Sequence, residues 1–280
     1  MARATNIDDF FYLDEEGHYG TRMLIEGDSW THHPQVNNLC GQIEEFKSHD
    51  YLMLNLSTVG DTATEIFDTS GKQVKKLKKL LGNSRWGPSE GFHLIVFSAG
   101  GNDIVGDDLK TNGYVIPWTE AGNRRGEKLL TEEFDEQVEK VANHYRGILE
   151  FIRNSELNSD TPVITHGYSY LKPRRVGTHL GPFSFSDGWV KKHLDDVYGI
   201  PDRFQYDLVC AMLDRFYEAL SELESEFDRF LVADTRRVLL KNGKPDLRLW
   251  HDEIHPNSRG FRRVAEALRS QATTKGLWVD

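Results

Sequence analysis

The segment M-L-I-E-G-D-S at residues 23–29 joins a short apolar run to a polar turn. The apolar part is too brief for a helix, and such runs are typical of strands that a parallel sheet buries on both faces. Four more runs share this character, at 51–56, 93–97, 162–165 and 230–233. We therefore predict a sheet of five parallel strands.

Segments with the apolar spacing of amphipathic helices separate these runs. They lie at 36–46, 72–81, 134–152, 208–227 and 261–268. Alternating strands and helices favour one α/β domain over residues 1–280, because right-handed crossovers cover both faces of a parallel sheet. Two irregular stretches, near 104–128 and 171–202, interrupt the alternation, and we expect them to cover the active edge of the sheet.

Composition narrows the classes of function. A formal net charge of −10 disfavours binding to nucleic acid or to anionic membrane surfaces. The sequence has no run long enough to span a membrane, and its first ten residues lack the apolar segment of a signal peptide. We therefore expect a cytoplasmic protein. Its two cysteines lack the spacing of metal ligands.

Polar or glycine-bearing turns follow the predicted strands. In open α/β sheets the reactive groups gather beyond the carboxyl ends of the strands. The turns are G-D-S at 27–29, V-G-D-T at 59–62, G-G-N-D at 100–103 and, before the last helix, D-E-I-H-P at 252–256. Any one of them alone is more simply a turn or a helix cap.

Together these turns contain the groups that acyl transfer requires. Ser29 is the candidate nucleophile, and His255 is the candidate general base. Asp252 can orient the imidazole of His255 through a short turn. The backbone N–H groups of Ser29 and Gly60, with the side-chain amide of Asn102, are candidate donors to an oxyanion.

The four turns, in this order, resemble the motifs of the SGNH hydrolases, also called GDSL-type esterases and lipases. The resemblance extends from the first predicted strand to the last helix. It implies a three-layer α/β/α sandwich similar to flavodoxin. It also implies that Ser29, Asp252 and His255 form a catalytic triad, and that Ser29, Gly60 and Asn102 form the oxyanion hole.

Several other residues are candidates for contact with the substrate. Trp30 follows the serine where leucine often stands in the family, and His166 ends the fourth strand. Trp189 lies in the second irregular stretch, where it either contacts the substrate or fixes the loop to the body of the protein. His32 and His33 read as surface or pocket-wall residues, and His251 lacks the proline that follows His255.

The leading hypothesis is a serine esterase that hydrolyses small-molecule carboxylic esters through an acyl-enzyme on Ser29. We expect short acyl groups and soluble substrates, with no cofactor and no metal. An acyltransferase would use the same residues. A metallophosphoesterase with Asp28, Asn102, His166 and His255 as ligands is a weaker alternative. A binding module that has lost catalysis is another, although all five catalytic positions hold competent residues.

Overall fold

The computed structural model describes residues 2–17, 19–46, 50–82, 87–88, 90–177, 179–180, 183–184 and 187–278. Within these ranges a sheet of six parallel strands forms the centre of the protein, in the order β1-β3-β2-β4-β5-β6. The strands are β1 (Ala2–Ala4), β2 (Thr21–Gly27), β3 (Tyr51–Asn55), β4 (Leu94–Ser98), β5 (Val163–His166) and β6 (Phe230–Ala233).

The five predicted strands are confirmed, but the predicted strand number is wrong by one. The additional strand, β1, lies at the edge of the sheet and pairs with β3, with Ala2 opposite Leu52 and Ala4 opposite Leu54. Its sequence, A-R-A, carries no apolar run. Its extended conformation comes from pairing with β3, which local sequence patterns do not report.

Helices cover both faces of the sheet and form the outer layers of the α/β/α sandwich. They are α1 (Ile7–Glu16), α2 (Leu39–Glu45), α3 (Ala63–Phe67), α4 (Lys72–Gly82), α5 (Gly101–Val105), α6 (Glu132–Arg153), α7 (Lys191–Asp196), α8 (Asp202–Glu222) and α9 (Ser258–Thr274). Helices α2 and α9 pack against each other, whereas α3, α4 and α8 pack against α6.

Local sequence explains where the longest and the last helix begin. The side chain of Thr131 accepts a hydrogen bond from Phe134 N at the start of α6. The side chain of Asn257 accepts from the backbone of Arg259 and Gly260 at the start of α9. Both are typical N-cap interactions. Each helix buries one apolar face against the core, as its spacing predicts.

The two irregular stretches contain short elements of their own. The first includes 3₁₀ turns at Asp107–Lys110, Trp118–Glu120 and Gly126–Leu129. The second contains α7 and a two-stranded antiparallel pair, His179–Leu180 with Phe183–Ser184. No helix within the described ranges is long and apolar enough to cross a membrane.

The strand order explains how distant segments meet. Strand β2 lies between β3 and β4, and all three are parallel. The turns that follow these strands therefore leave the same edge of the sheet side by side. They carry Ser29, Gly60 and Asn102.

Candidate active site

Ser29 lies in the tight turn that follows β2. This turn is held against β4, because Asp28 N donates to the carbonyl oxygen of Ser98 at 2.8 Å. A Cβ atom on Gly27 would lie 2.4 Å from the same oxygen, so the close approach requires glycine. The next helix, α2, is capped by Asn38. Ser29 is therefore not a helix cap.

A hydrogen-bonded chain joins the three residues of the predicted triad. Ser29 Oγ lies 2.7 Å from His255 Nε2. On the other side of the ring, His255 Nδ1 lies 2.8 Å from Asp252 Oδ2. All three side chains are buried. This is the arrangement in which a carboxylate orients an imidazole and the imidazole takes the proton of a hydroxyl.

The turn between Asp252 and His255 fixes the carboxylate in place. Asp252 Oδ1 accepts backbone hydrogen bonds from Ile254 at 3.0 Å and from His255 at 2.8 Å. Burial favours a higher pKa for Asp252, but the hydrogen bond and proximity of His255 outweigh burial and lower the pKa below its ordinary value. The aspartate is therefore ionised at neutral pH, as an orienting group must be.

The predicted oxyanion donors lie on neighbouring turns. Among the described residues, no acceptor takes the backbone N–H of Ser29 or of Gly60. Gly60 has a φ of +88°, a conformation that favours glycine. Asn102 Nδ2 donates one hydrogen bond to the carbonyl of Asp61 at 2.8 Å, which ties its amide to the Gly60 turn. The second amide hydrogen has no acceptor among the described residues.

A buried polar network supports the turn that carries Ser29. Asp28 Oδ1 accepts from Trp30 N at 2.9 Å and from Ser98 Oγ at 3.1 Å, and Asp28 Oδ2 accepts from the hydroxyl of Tyr168. Burial raises the pKa of Asp28 to about 6, although these three donors act in the opposite direction. These bonds tie the Ser29 turn to β4 and to Tyr168 and stiffen it. Asp103 acts similarly, since it accepts from Ala63 N at 2.7 Å.

A small, mainly apolar cavity opens beside Ser29. Its volume is about 20 Å³. Its walls include Ser29, Trp30, Asn102, Val105, Tyr168 and Leu171. The indole of Trp30 is buried, and its Nε1 donates a hydrogen bond to the carbonyl of Ile254 at 3.2 Å.

The structure places His166 away from this cavity. Its ring stacks on Trp30 with the centroids 5.1 Å apart, and Nε2 lies 3.0 Å from Ser98 Oγ. His166 is not among the described residues that line the cavity. Burial lowers the pKa of His166 to about 3, so the ring is neutral.

Two rings flank the candidate base. Trp189 lies 5.4 Å from His255 between centroids and almost perpendicular to it. His33 lies 4.6 Å from His255, and burial together with the positive charge that His255 can carry lowers the pKa of His33 to about 4. The sequence predicts only a surface or pocket-wall position for His33. The closeness of His32 and His33 to G-D-S in sequence is the signal for a contact with the site. The sequence does not show which of the two adjacent rings points inward.

A further histidine near the predicted triad, His251, is hydrogen-bonded to Gln35 rather than to Asp252 or Ser29. His251 Nε2 lies 2.9 Å from Gln35 Oε1, which fits the preference for His255 as the base. Of the described residues, only His33, Asp252 and His255 bring histidine, cysteine or carboxylate ligand atoms together closely enough to suggest a metal site. Asp28 and His166, two of the four ligands considered for a metallophosphoesterase, do not belong to this group.

The sequence matches no protein-family model and no curated protein. Solved structures do match. One, described as a platelet activating factor from Streptococcus pneumonia, has a TM-score of 0.54 and 12% identity, over 95% of this chain and 90% of the other. One from Parabacteroides merdae, described as a GDSL-like lipase, has a TM-score of 0.51 and 14% identity, over 93% and 97%.

A structure from Lactobacillus plantarum matches to the same degree, with a TM-score of 0.51 and 14% identity over 91% of this chain and 98% of the other. At such identities the likeness concerns the fold. This chain therefore has the three-layer α/β/α fold of the GDSL-type, or SGNH, hydrolases.

Proposed function

We propose that this protein is a serine esterase that hydrolyses carboxylic esters through an acyl-enzyme on Ser29. One observation carries the proposal: Ser29 Oγ, the imidazole of His255 and the carboxylate of Asp252 form a continuous chain with distances of 2.7 and 2.8 Å. The fold, which is shared with a structure described as a GDSL-like lipase, supports the same chemistry.

The first half-reaction forms the acyl-enzyme. His255 Nε2 takes the proton of Ser29 as Oγ attacks the ester carbonyl carbon, and Asp252 stabilises the imidazolium. The carbonyl oxygen becomes an oxyanion, with Ser29 N, Gly60 N and the Asn102 amide as its donors. As the carbonyl re-forms, the bond between the acyl carbon and the alcohol oxygen breaks, and His255 Nε2 gives its proton to that oxygen, so the alcohol leaves.

The second half-reaction uses the same groups in the opposite sense. Water replaces the alcohol, and His255 removes a proton from the water as its oxygen attacks the acyl carbon. The proton passes to Ser29 Oγ as the ester bond to the serine breaks. The products are a carboxylic acid and free enzyme.

The cavity beside Ser29 supports a preference for short acyl groups. Its volume of about 20 Å³ is close to the space that one water molecule occupies. Nonpolar walls such as Val105 and Leu171 suit a methyl or short alkyl group. A long acyl chain would extend beyond this cavity.

The alternatives differ in how the structure supports them. For a metallophosphoesterase, Asp28 and His166 would have to be ligands, but both are engaged in the hydrogen bonds that join them through Ser98. An acyltransferase would use the same triad and differ only in the acceptor of the acyl group. It is distinguished by product analysis with added alcohols.

The decisive experiment combines covalent labelling with an ester series. A fluorophosphonate should label the purified protein once, and mass spectrometry of peptides should place the label on Ser29. p-Nitrophenyl esters from acetate to palmitate should then give the highest kcat/KM with the shortest chains. Ser29→Ala is the blank for both measurements.

Three other results would contradict the proposal. A label on Ser57 or Ser98 would exclude Ser29 as the nucleophile. Loss of all activity with a chelator, restored by a divalent metal, would favour the phosphoesterase. Activity that rises steadily to palmitate would contradict the preference for short acyl groups.

A further inference from the structure

A buried carboxylate next to the triad holds the second irregular stretch in place. Glu253 follows Asp252 directly and is only 1% exposed. Its Oε1 accepts backbone hydrogen bonds from Arg174 at 2.9 Å and Lys191 at 2.8 Å, and its Oε2 accepts from Trp189 at 2.5 Å and Val190 at 2.9 Å. Four backbone donors on one side chain compensate much of the cost of burying it.

The loop backbone wraps closely around this carboxylate. Gly188 has a φ of +88°, and a Cβ atom there would lie 2.4 Å from Glu253 Oε2 and 2.7 Å from the carbonyl oxygen of Arg174. Both the backbone conformation and the space therefore require glycine. Residues 187–191 and the segment around Arg174 thus meet at Glu253, although they are distant from it in sequence.

Further bonds connect the same segments to the catalytic turn. Glu253 N donates to the carbonyl of Val176 at 3.0 Å, and Arg174 Nη2 donates to the carbonyl of Asp252 at 2.5 Å. The turn that carries Asp252 and His255 is therefore attached to the loop through both backbone and side chains. Movement of one would move the other.

This attachment places a large ring against the catalytic base. The backbone N–H of Trp189 donates to Glu253. Its indole ring packs almost perpendicular to the His255 ring, with the ring centroids 5.4 Å apart. Asp252 holds one nitrogen of the imidazole, and His33 packs against the ring at 4.6 Å between centroids, so Trp189 is the second aromatic contact of the base. Packing by Trp189 limits tilting of the ring and keeps Nε2 directed at Ser29 Oγ.

We propose that Glu253 is a positioning residue for the esterase reaction, which acts on His255 by holding the loop that carries Trp189. The inference rests on the proposed function, since it concerns the same site. It assigns to the second irregular stretch a defined catalytic contribution. Because the base acts only in the chemical step, loss of Glu253 should lower kcat more than it changes KM.

The test is a double-mutant cycle on p-nitrophenyl acetate. Glu253→Gln keeps the size of the side chain but turns an amide N–H₂ group toward backbone donors. It should lower kcat per labelled site about tenfold. Trp189→Ala should cause a similar loss. The kcat of the double variant should be no more than about twofold below that of the less active single variant, because both changes act through the same contact between Trp189 and His255.

Glu224→Gln is the matched control. Glu224 also accepts a backbone hydrogen bond through its carboxylate, from Val232 at 2.8 Å, but it lies in the 3₁₀ turn Leu223–Ser225, which follows α8. Its replacement should leave kcat per labelled site within about twofold. Counting active sites with a fluorophosphonate separates slower chemistry from a smaller folded fraction.

Gly188→Ala is the second route if Glu253→Gln does not fold, because it displaces the loop while the carboxylate stays. A wild-type kcat in Trp189→Ala, or losses that multiply in the double variant, would overturn the proposal. So would a reduced count of active sites with normal kcat per site. Absence of labelling and hydrolysis in the wild-type protein would instead overturn the proposed esterase function.

Discussion

His255 Nε2 lies 2.7 Å from Ser29 Oγ although the two residues are 226 positions apart in the chain. Ser29 follows the second strand of the sheet, and His255 precedes the last helix. The hydrogen bond therefore depends on the whole fold, since helices, strands and both irregular stretches lie between the two residues. In a contact of this kind the imidazole can act as a base that activates the hydroxyl as a nucleophile.

We first predict that Ser29 and His255 act as one unit. Ser29→Ala and His255→Ala should each lower kcat by several orders of magnitude, because neither can form the acyl-enzyme efficiently without the other. The double variant should be little worse than either single variant. Steady-state kinetics on p-nitrophenyl acetate measures all three. Multiplied losses in the double variant would place the two residues in different steps.

The second prediction concerns Asn102. Asn102→Ala removes an oxyanion donor and should lower kcat by about 10²–10³ with a smaller change in KM. It also removes the bond to the carbonyl of Asp61, so its effect on stability must be measured separately by thermal unfolding. Asn143→Ala, on the exposed face of α6, is a control for loss of an asparagine side chain. A change in KM alone would make Asn102 a substrate-binding residue.

The third prediction tests the cavity beside Ser29. Val105→Ala enlarges the cavity at one wall and should shift the preference toward longer acyl groups. Burial of one methylene contributes about 0.8 kcal/mol, so kcat/KM for the propanoate relative to the acetate should rise roughly fourfold. The ratio of the two ester rates within each variant is the measurement. An unchanged ratio would show that the acyl group lies elsewhere.

Most of the fold follows from sequence patterns, and the exception is instructive. The strands β2 to β6 have apolar runs because both of their faces are buried, and such runs are visible without the structure. The strand β1 has only three residues, of which Arg3 is exposed, and its existence depends on pairing with β3. Pairing between segments about fifty residues apart leaves no local pattern.

The candidate site divides in the same way. Ser29 and His255 could be predicted because their turns have recognisable sequences at the ends of strands and before a helix. The contacts of His33 and Glu253 could not be predicted, since each depends on how a loop packs. The available signal for Glu253 is its position between Asp252 and His255. Sequence alone does not show that its carboxylate points inward and binds four backbone N–H groups.

The last prediction concerns the pH dependence of stability and rests on Glu26. Its side chain is fully buried at the end of β2, where Oε1 accepts from Gly27 N and from Gln73 Nε2, both at 3.0 Å. Oε2 has no hydrogen-bond partner within the described residues. Burial, aided by the nearby carboxylate of Asp61, raises the pKa of Glu26 from 4.5 to about 8, although Gln73 and Gly27 act against it.

Between pH 4.5 and 8 the folded protein therefore holds a proton on Glu26 that the unfolded chain releases. The free energy of unfolding falls as pH rises through this window, by at most about 1.4 kcal/mol per pH unit from this group. Glu26→Gln resembles the protonated acid and removes this dependence. The Tm of Glu26→Gln minus that of the wild type should rise from pH 5 to pH 8.5, because only the wild type loses stability as Glu26 ionises. Contributions from other groups cancel in this difference. Thermal unfolding of both proteins at matched ionic strength measures it, and a Tm difference that does not change with pH would contradict a protonated Glu26.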